Sequence, residues 1–219
     1  KRDVAAGRSA RSDGLMFSRR TATPKAGSAI SPVTLIGRRV VLRPLQIGDF
    51  EAWREVRRRS HDWLVVWEPS RIPDTPDVVE DRQAFAARCG SRTREIQLGT
   101  GYGFGIFVEG RFAGEINLNS IHRGAFQSAY VGYWIDEAQA GKGYMPEAVV
   151  LVLRYAFEEL ALHRLQIAII PRNAASRRVV EKLDLRNEGV AERYLEINGV
   201  WEDHVRYAIT SEEWDERRD

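Results

Sequence analysis

Cysteine is nearly missing from this chain. Cys89 stands alone, so no internal disulfide can form, and packing must hold the fold together. In "FAARCGS" the thiol reads as part of a helix end capped by Gly90, a poor setting for a nucleophile. Long apolar runs are missing too: none approaches the roughly 18 residues that would span a membrane. The first residues carry no apolar core segment of the kind that marks a secretory leader. A single thiol and no leader point to the reducing cytoplasm. His61, His122, His163 and His204 are scattered without metal-ligand spacing, which assigns no metal.

What is present suits one folded unit. The 219 residues are 43% hydrophobic and 29% charged, enough to bury a real core. The net charge of +2 is unevenly spread, because residues 1–32 hold seven Lys or Arg against Asp3 and Asp13. That segment reads as a basic, flexible tail able to touch ribosomal RNA, and residues 33–219 as the folded domain.

Periodicity divides the domain. "RVVLRPL", Arg39 to Leu45, predicts a strand stopped by proline. "DFEAWREVRRRSHDWL" predicts one helix with Asp49 as N-cap and Phe50, Trp53 and Val56 on its inner face. "DVVEDRQAFAARCG" predicts a second helix ending at Gly90. From Gly103 the period becomes two: strands on either side of Glu109-Gly110, then "SAYVGYWI". "PEAVVLVLRYAFEEL" is apolar nearly all round, so it predicts a buried helix. The strand "HRLQIAIIP", the short helix "NAASRRVVEKL" and a hairpin turning at Asn198-Gly199 complete the chain. The expected fold is mixed α/β: a mostly antiparallel central sheet with one strand–helix–strand crossover and flanking helices.

"QAGKGYMPEA" then asks why a strand should run into two glycines before a helix. A helix start preceded by bare backbone is an anion site, since its unpaired N–H groups carry partial positive charge. It is not a Walker loop: Gly143 stands where Ser or Thr must follow Lys142, and the upstream glycine is missing. Nor is it a dinucleotide fingerprint, because Pro146 occupies the third glycine position. About 30 residues on, "PRNAAS" opens the next helix with Asn173 as a capping residue. Ser176 shares a stripe with Val179, Val180 and Leu183, which turns its hydroxyl toward the strand ends.

Together "GYWIDEAQAGKGYMPEAV", "LHRLQIAIIPRNAASRRVVEKL" and "YLEINGVWEDHVRYAI" resemble the GNAT acyl-CoA-dependent N-acetyltransferases, specifically the RimJ/RimL type that acetylates the N-terminal alanine of ribosomal proteins. The likeness runs from about Val40 to Tyr207. It departs from the family's pyrophosphate signature at Ala140, where a leading Arg or Gln is usual, and at Asp184 and Leu185. The resemblance implies acetyl-CoA held by Trp134, Ile135, Gly141, Lys142, Gly143, Tyr144, Met145, Asn173 and Ser176. It implies Ser176 as acid or thiolate partner, since the position of the family's frequent tyrosine is Val180 here. Glu115 and Glu196 are the candidate bases, and Trp63, Trp67 and Asn119 the candidate acceptor contacts. Relatives of this kind are monomers or homodimers.

An α-amine suits such a site. With a pKa near 7.7–8.0 it is roughly 10% neutral at pH 7, against less than about 0.1% for lysine near 10.4. Only the second demands a strong base. A small-molecule amine such as a polyamine or antibiotic is the alternative acceptor. A silent acetyl-CoA-binding module with an RNA-binding tail is the alternative to an enzyme.

Overall fold

The computed structural model describes residues 33–217, so the basic segment 1–32 lies outside the described residues. Eight strands form one sheet in the order β1-β2-β3-β4-β5-β6-β8-β7. They are β1 (Leu35–Ile36), β2 (Val40–Arg43), β3 (Tyr102–Val108), β4 (Arg111–His122), β5 (Ser128–Ile135), β6 (Arg164–Ile169), β7 (Arg186–Ile197) and β8 (Val200–Thr210). The helices are α1 (Phe50–Arg59), α2 (His61–Val65), α3 (Arg82–Leu98), α4 (Tyr144–Arg154), α5 (Ala174–Lys182) and α6 (Ser211–Glu216). Every strand pair is antiparallel except β5–β6, which α4 connects, as the expected crossover requires.

Two apolar layers sandwich the sheet. On one face α4 and α5 pack Met145, Ala148, Val149, Val152 and Val180 against Leu42, Ile106, Ile116, Leu165 and Ile167. On the other, Phe50, Trp53 and Val56 of α1 and Phe85 and Cys89 of α3 meet Phe107 and Phe112. The rings of Trp53 and Phe85 lie 5.0 Å apart. Both two-residue hairpin turns take left-handed backbone: φ is 50° at Glu109 and 77° at Gly110, and 48° at Asn198 and 80° at Gly199.

Three local expectations need correction. The first long helix breaks at Ser60, whose buried hydroxyl is bonded to Asp136 Oδ1 at 2.9 Å instead of facing solvent. Asp49 occupies the N-cap position of α1 as expected, but its side chain makes no capping bond there; its carboxylate accepts from Gln46 N at 2.8 Å and from both Arg43 Nη atoms. The second helix passes through Gly90 and ends at Gly99, whose φ of 66° suits a left-handed cap. Gly90 sits on the exposed side of α3, where a missing side chain costs little packing. One further helix, α6, goes unannounced by the apolar periodicity and is closed by a capping box between Thr210 and Glu213.

The feature that positions a site is a split in the sheet. Ser128, Ala129 and Tyr130 pair with Arg164, Leu165 and Gln166, and there the β5–β6 ladder stops. Beyond it β5 stays with β4 to Ile135 and β6 stays with β8 to Ile169. Their facing backbones are left unpaired at the carboxyl ends of the two parallel strands, where α/β sheets receive ligands.

Candidate active site

The glycine turn is built where β5 ends. Asp136, only 1% exposed, accepts from Ser60 Oγ and from the Arg59 guanidinium, and its Oδ1 receives the Ala138 amide at 3.3 Å. Burial alone would raise this carboxyl, but the bonds from Arg59 and Ser60 hold it below the usual carboxylate range. The end of α1 is thereby tied to the start of the turn.

Arg39, in the bend just before β2, fixes the rest of the turn. Its Nη1 donates to Lys142 O at 3.0 Å and its Nη2 to Gly143 O at 3.1 Å, while Nε meets Glu147 Oε2 at 3.0 Å. Tyr144 packs its ring 5.1 Å from the same guanidinium. The carbonyls are thus drawn to Arg39. Among the described residues nothing accepts from the amides of Gly141, Lys142, Gly143 or Tyr144. Gly141 and Gly143 hold φ of 76° and 83°, values that disfavour any Cβ. A row of unspent donors at the positive end of α4 fits a pyrophosphate.

Across the cleft, Asn173 Oδ1 accepts from Ser176 N at 3.0 Å and caps α5 as expected. Ser176 Oγ lies 3.0 Å from the Tyr133 hydroxyl, which is also 3.2 Å from Ser176 O. Burial pushes the Tyr133 phenol far above its ordinary range, against the opposing pull of the Ser176 bond, so it stays protonated. These groups line one cleft of about 360 Å³.

Of the residues expected to hold a cofactor, Trp134, Ile135, Gly141, Gly143, Tyr144, Met145, Asn173 and Ser176 all line the cleft. Lys142 does not; its ammonium is 3.1 Å from Gln139 Oε1 and its carbonyl belongs to Arg39. Trp63 and Trp67 line the cleft from α2 and the segment after it. Asn119 lies elsewhere, accepting from Arg92 Nη1 at 3.0 Å. Glu115 is 2% exposed under α1 and α3, where it accepts from Trp53 Nε1 at 2.7 Å and from Arg88. Glu196 is exposed on the β7–β8 hairpin, opposite Trp201. Of the three residues expected to take part in chemistry, the structure brings Ser176 alone to the cleft.

Sequence reasoning misses four participants. Tyr133 is within its reach, since it alternates with Val131 in a strand already assigned. Arg39 stands more than 100 residues from the turn it grips, and no spacing announces it. Arg178 and Lys182 are one turn apart on α5 and bring two cations to the cleft. No group of three or more His, Cys, Asp or Glu among the described residues is placed to hold a metal. No described helix is long and apolar enough to cross a membrane.

Comparison with known proteins agrees with this geometry. A family model described as an acetyltransferase (GNAT) domain matches residues 39–186. The chain is 39% identical over 177 residues to the probable N-acetyltransferase YjcK of Bacillus subtilis, covering 80% of this chain and 96% of that one. It is 32% identical over 203 residues to the [ribosomal protein uS5]-alanine N-acetyltransferase of Escherichia coli, covering 91% and 98%. Among solved structures, Mycobacterium smegmatis RimJ in complex with CoA-disulfide superposes with a TM-score of 0.75 at 31% identity, over 83% of this chain and 88% of that one.

Proposed function

The chain belongs to the GNAT family of acetyltransferases, and from that premise we propose that it uses acetyl-CoA to acetylate the N-terminal α-amine of a protein, a ribosomal protein in the first instance. Acetyl-CoA supplies the acetyl group already activated as a thioester. The free amides of Gly141, Gly143 and Tyr144 receive its pyrophosphate, and the unpaired edge of β5 leads inward from that turn toward Ser176 and Tyr133. This is the usual division in such sites: fixed backbone dipoles bind the charge, and one side chain handles the proton.

The observation that carries the α-amine reading is the absence of a free base. Among the described residues no histidine lines the cleft, and its one carboxylate, Glu68, is held in two bonds of 2.6 Å by Arg57. Such a site cannot strip a lysine ammonium, but it can take an α-amine that is already partly neutral at pH 7. As the amine attacks, the nitrogen proton passes to the Ser176 hydroxyl while the Ser176 proton passes to the departing sulfur, leaving the serine unchanged. A thiol ordinarily near 8.5 accepts that proton readily. Tyr133, protonated throughout, holds the serine hydroxyl in place.

The acceptor's first residue meets Trp63 and Trp67. A polyamine fits less well, since one paired carboxylate faces Arg178 and Lys182 in the same cleft. The E. coli relative is named a [ribosomal protein uS5]-alanine N-acetyltransferase, and its likeness over 91% of this chain supports a ribosomal-protein acceptor here. Mass spectrometry of peptides offered with acetyl-CoA, some with a free N-terminus and others N-blocked with a free lysine, tests the reading.

A further inference from the structure

Glu68 follows α2 and is the single acidic side chain among the described residues lining the cleft. Its place is fixed three ways. Arg57 grips both carboxylate oxygens, each at 2.6 Å. Arg57 is itself wedged beside the rings of Trp53 and Trp134, at 5.9 and 5.0 Å, and its Nε is buried with no partner. The Glu68 carbonyl accepts from Asn198 N at 3.0 Å, tying the segment to the tip of the β7–β8 hairpin. Two bonds to Arg57 occupy two of the roughly four acceptor positions on a carboxylate. The Glu68 side chain keeps 32% of its surface exposed, and Trp63 and Trp67 line the cleft beside it.

Resting on the function proposed above, we infer that Glu68 is the specificity residue that receives the acceptor's ammonium group and that Arg57 sets its strength. The remaining carboxylate lone pairs accept the ammonium N–H bonds, and the neighbouring tryptophans add cation–π attraction. A bare carboxylate there would hold the amine too firmly in its charged, unreactive form. Sharing the carboxylate with Arg57 weakens that hold, so the amine is recognised by its charge and still released to the neutral state. The other charged or titratable groups facing the cleft are Tyr133, Tyr144, Arg178 and Lys182; Asp77 and Glu115 act on Arg57 from behind, and Arg172 lies 5.3 Å from the Trp67 ring. Glu68 supplies the only negative charge that these cleft-lining groups offer an incoming ammonium.

The test compares wild type with Glu68→Gln on one N-terminal alanine peptide across pH. The expected result is a rise in peptide KM of about tenfold or more below pH 7, from loss of a charge-assisted contact. The rising limb of kcat should move to lower pH by about half a unit to one unit, because the bound amine no longer sits beside a carboxylate. Affinity for acetyl-CoA should be unchanged. A side chain that served only to brace the loop would not move the limb. Unchanged peptide KM and limb, with wild type active, overturn the inference and leave the enzyme's function intact; no acetylation of any α-amine by wild type overturns both. Wild type alone gives a second readout should Glu68→Gln not fold: the same peptide with its first residue replaced by a propionyl group, lacking the amine, should compete about tenfold more weakly than an unreactive amine-bearing analogue. Equal competition overturns the inference.

Discussion

Ser176 Oγ, on the first turn of α5, sits 3.0 Å from the hydroxyl of Tyr133, near the end of β5, so two elements that flank the split in the sheet meet through one hydroxyl pair. Because Tyr133 is pushed upward by burial and does not ionise in the working range, the pair can pass a proton without leaving a charge behind.

Removing the relay should slow chemistry and spare binding. Ser176→Ala is expected to lower kcat by about 10²-fold, at the modest end for a general acid–base group, with KM for acetyl-CoA within about twofold. Tyr133→Phe should lose less, because Ser176 keeps its own proton. Steady-state kinetics with a saturating N-terminal peptide check both.

Arg39 should act on cofactor affinity instead. Arg39→Met removes two carbonyl bonds, at roughly 0.5–1.5 kcal/mol each, and frees the turn to rotate. The expected outcome is an acetyl-CoA dissociation constant raised about 5- to 100-fold by calorimetry. Arg39→Lys should fail to restore it, since an ammonium cannot fork to two carbonyls and a carboxylate.

Much of this fold is legible in the amino-acid sequence. The hairpin at Asn198-Gly199, the buried helix that carries Pro146 in its first turn and the cap at Asn173 follow from local chemistry that tertiary packing confirms. Ser176 is legible because a polar residue on an apolar stripe needs a partner. What cannot be read depends on contacts distant in sequence. Glu115 looks like a cleft carboxylate in a strand, but β4 turns it beneath α1 and α3 to Arg88 and Trp53, and strand parity alone cannot say which face meets the ligand. Gly90 looks like a helix end because glycine usually is one, yet an exposed glycine within a helix costs only about 1 kcal/mol, and the buried Phe85, Cys89 and Ile96 carry α3 past it.

Asp136 should make the fold acid-sensitive. Its carboxyl is depressed by Arg59 and Ser60 despite burial, so the stability it contributes is present above the unfolded value near 3.9 and is lost as pH falls through the lower folded value. Asp136→Asn should cost about 1.5–3 kcal/mol at pH 7 and lower the melting temperature by roughly 3–12 °C. At pH 3 the gap between variant and wild type should shrink, and a pair of melting curves at the two pH values checks it.

Gly143→Ala tests the strained turn itself. Its φ of 83° disfavours a Cβ, and that Cβ would stand 3.3 Å from Arg39 Nη2. A loss of about 1–2 kcal/mol in stability is expected, together with weaker acetyl-CoA binding, read by denaturant titration and calorimetry on one sample.

Where the acetyl group lands decides most directly whether the cleft serves an α-amine. Peptides beginning with free alanine or serine, N-blocked peptides bearing a free lysine, and a polyamine are incubated separately with the protein and acetyl-CoA, and the products are sequenced by mass spectrometry. Acetylation confined to the α-amine is the expected result. Acetyl on the lysine side chain or the polyamine at a comparable rate would contradict it, for the cleft would then have to supply the strong base that its described residues lack.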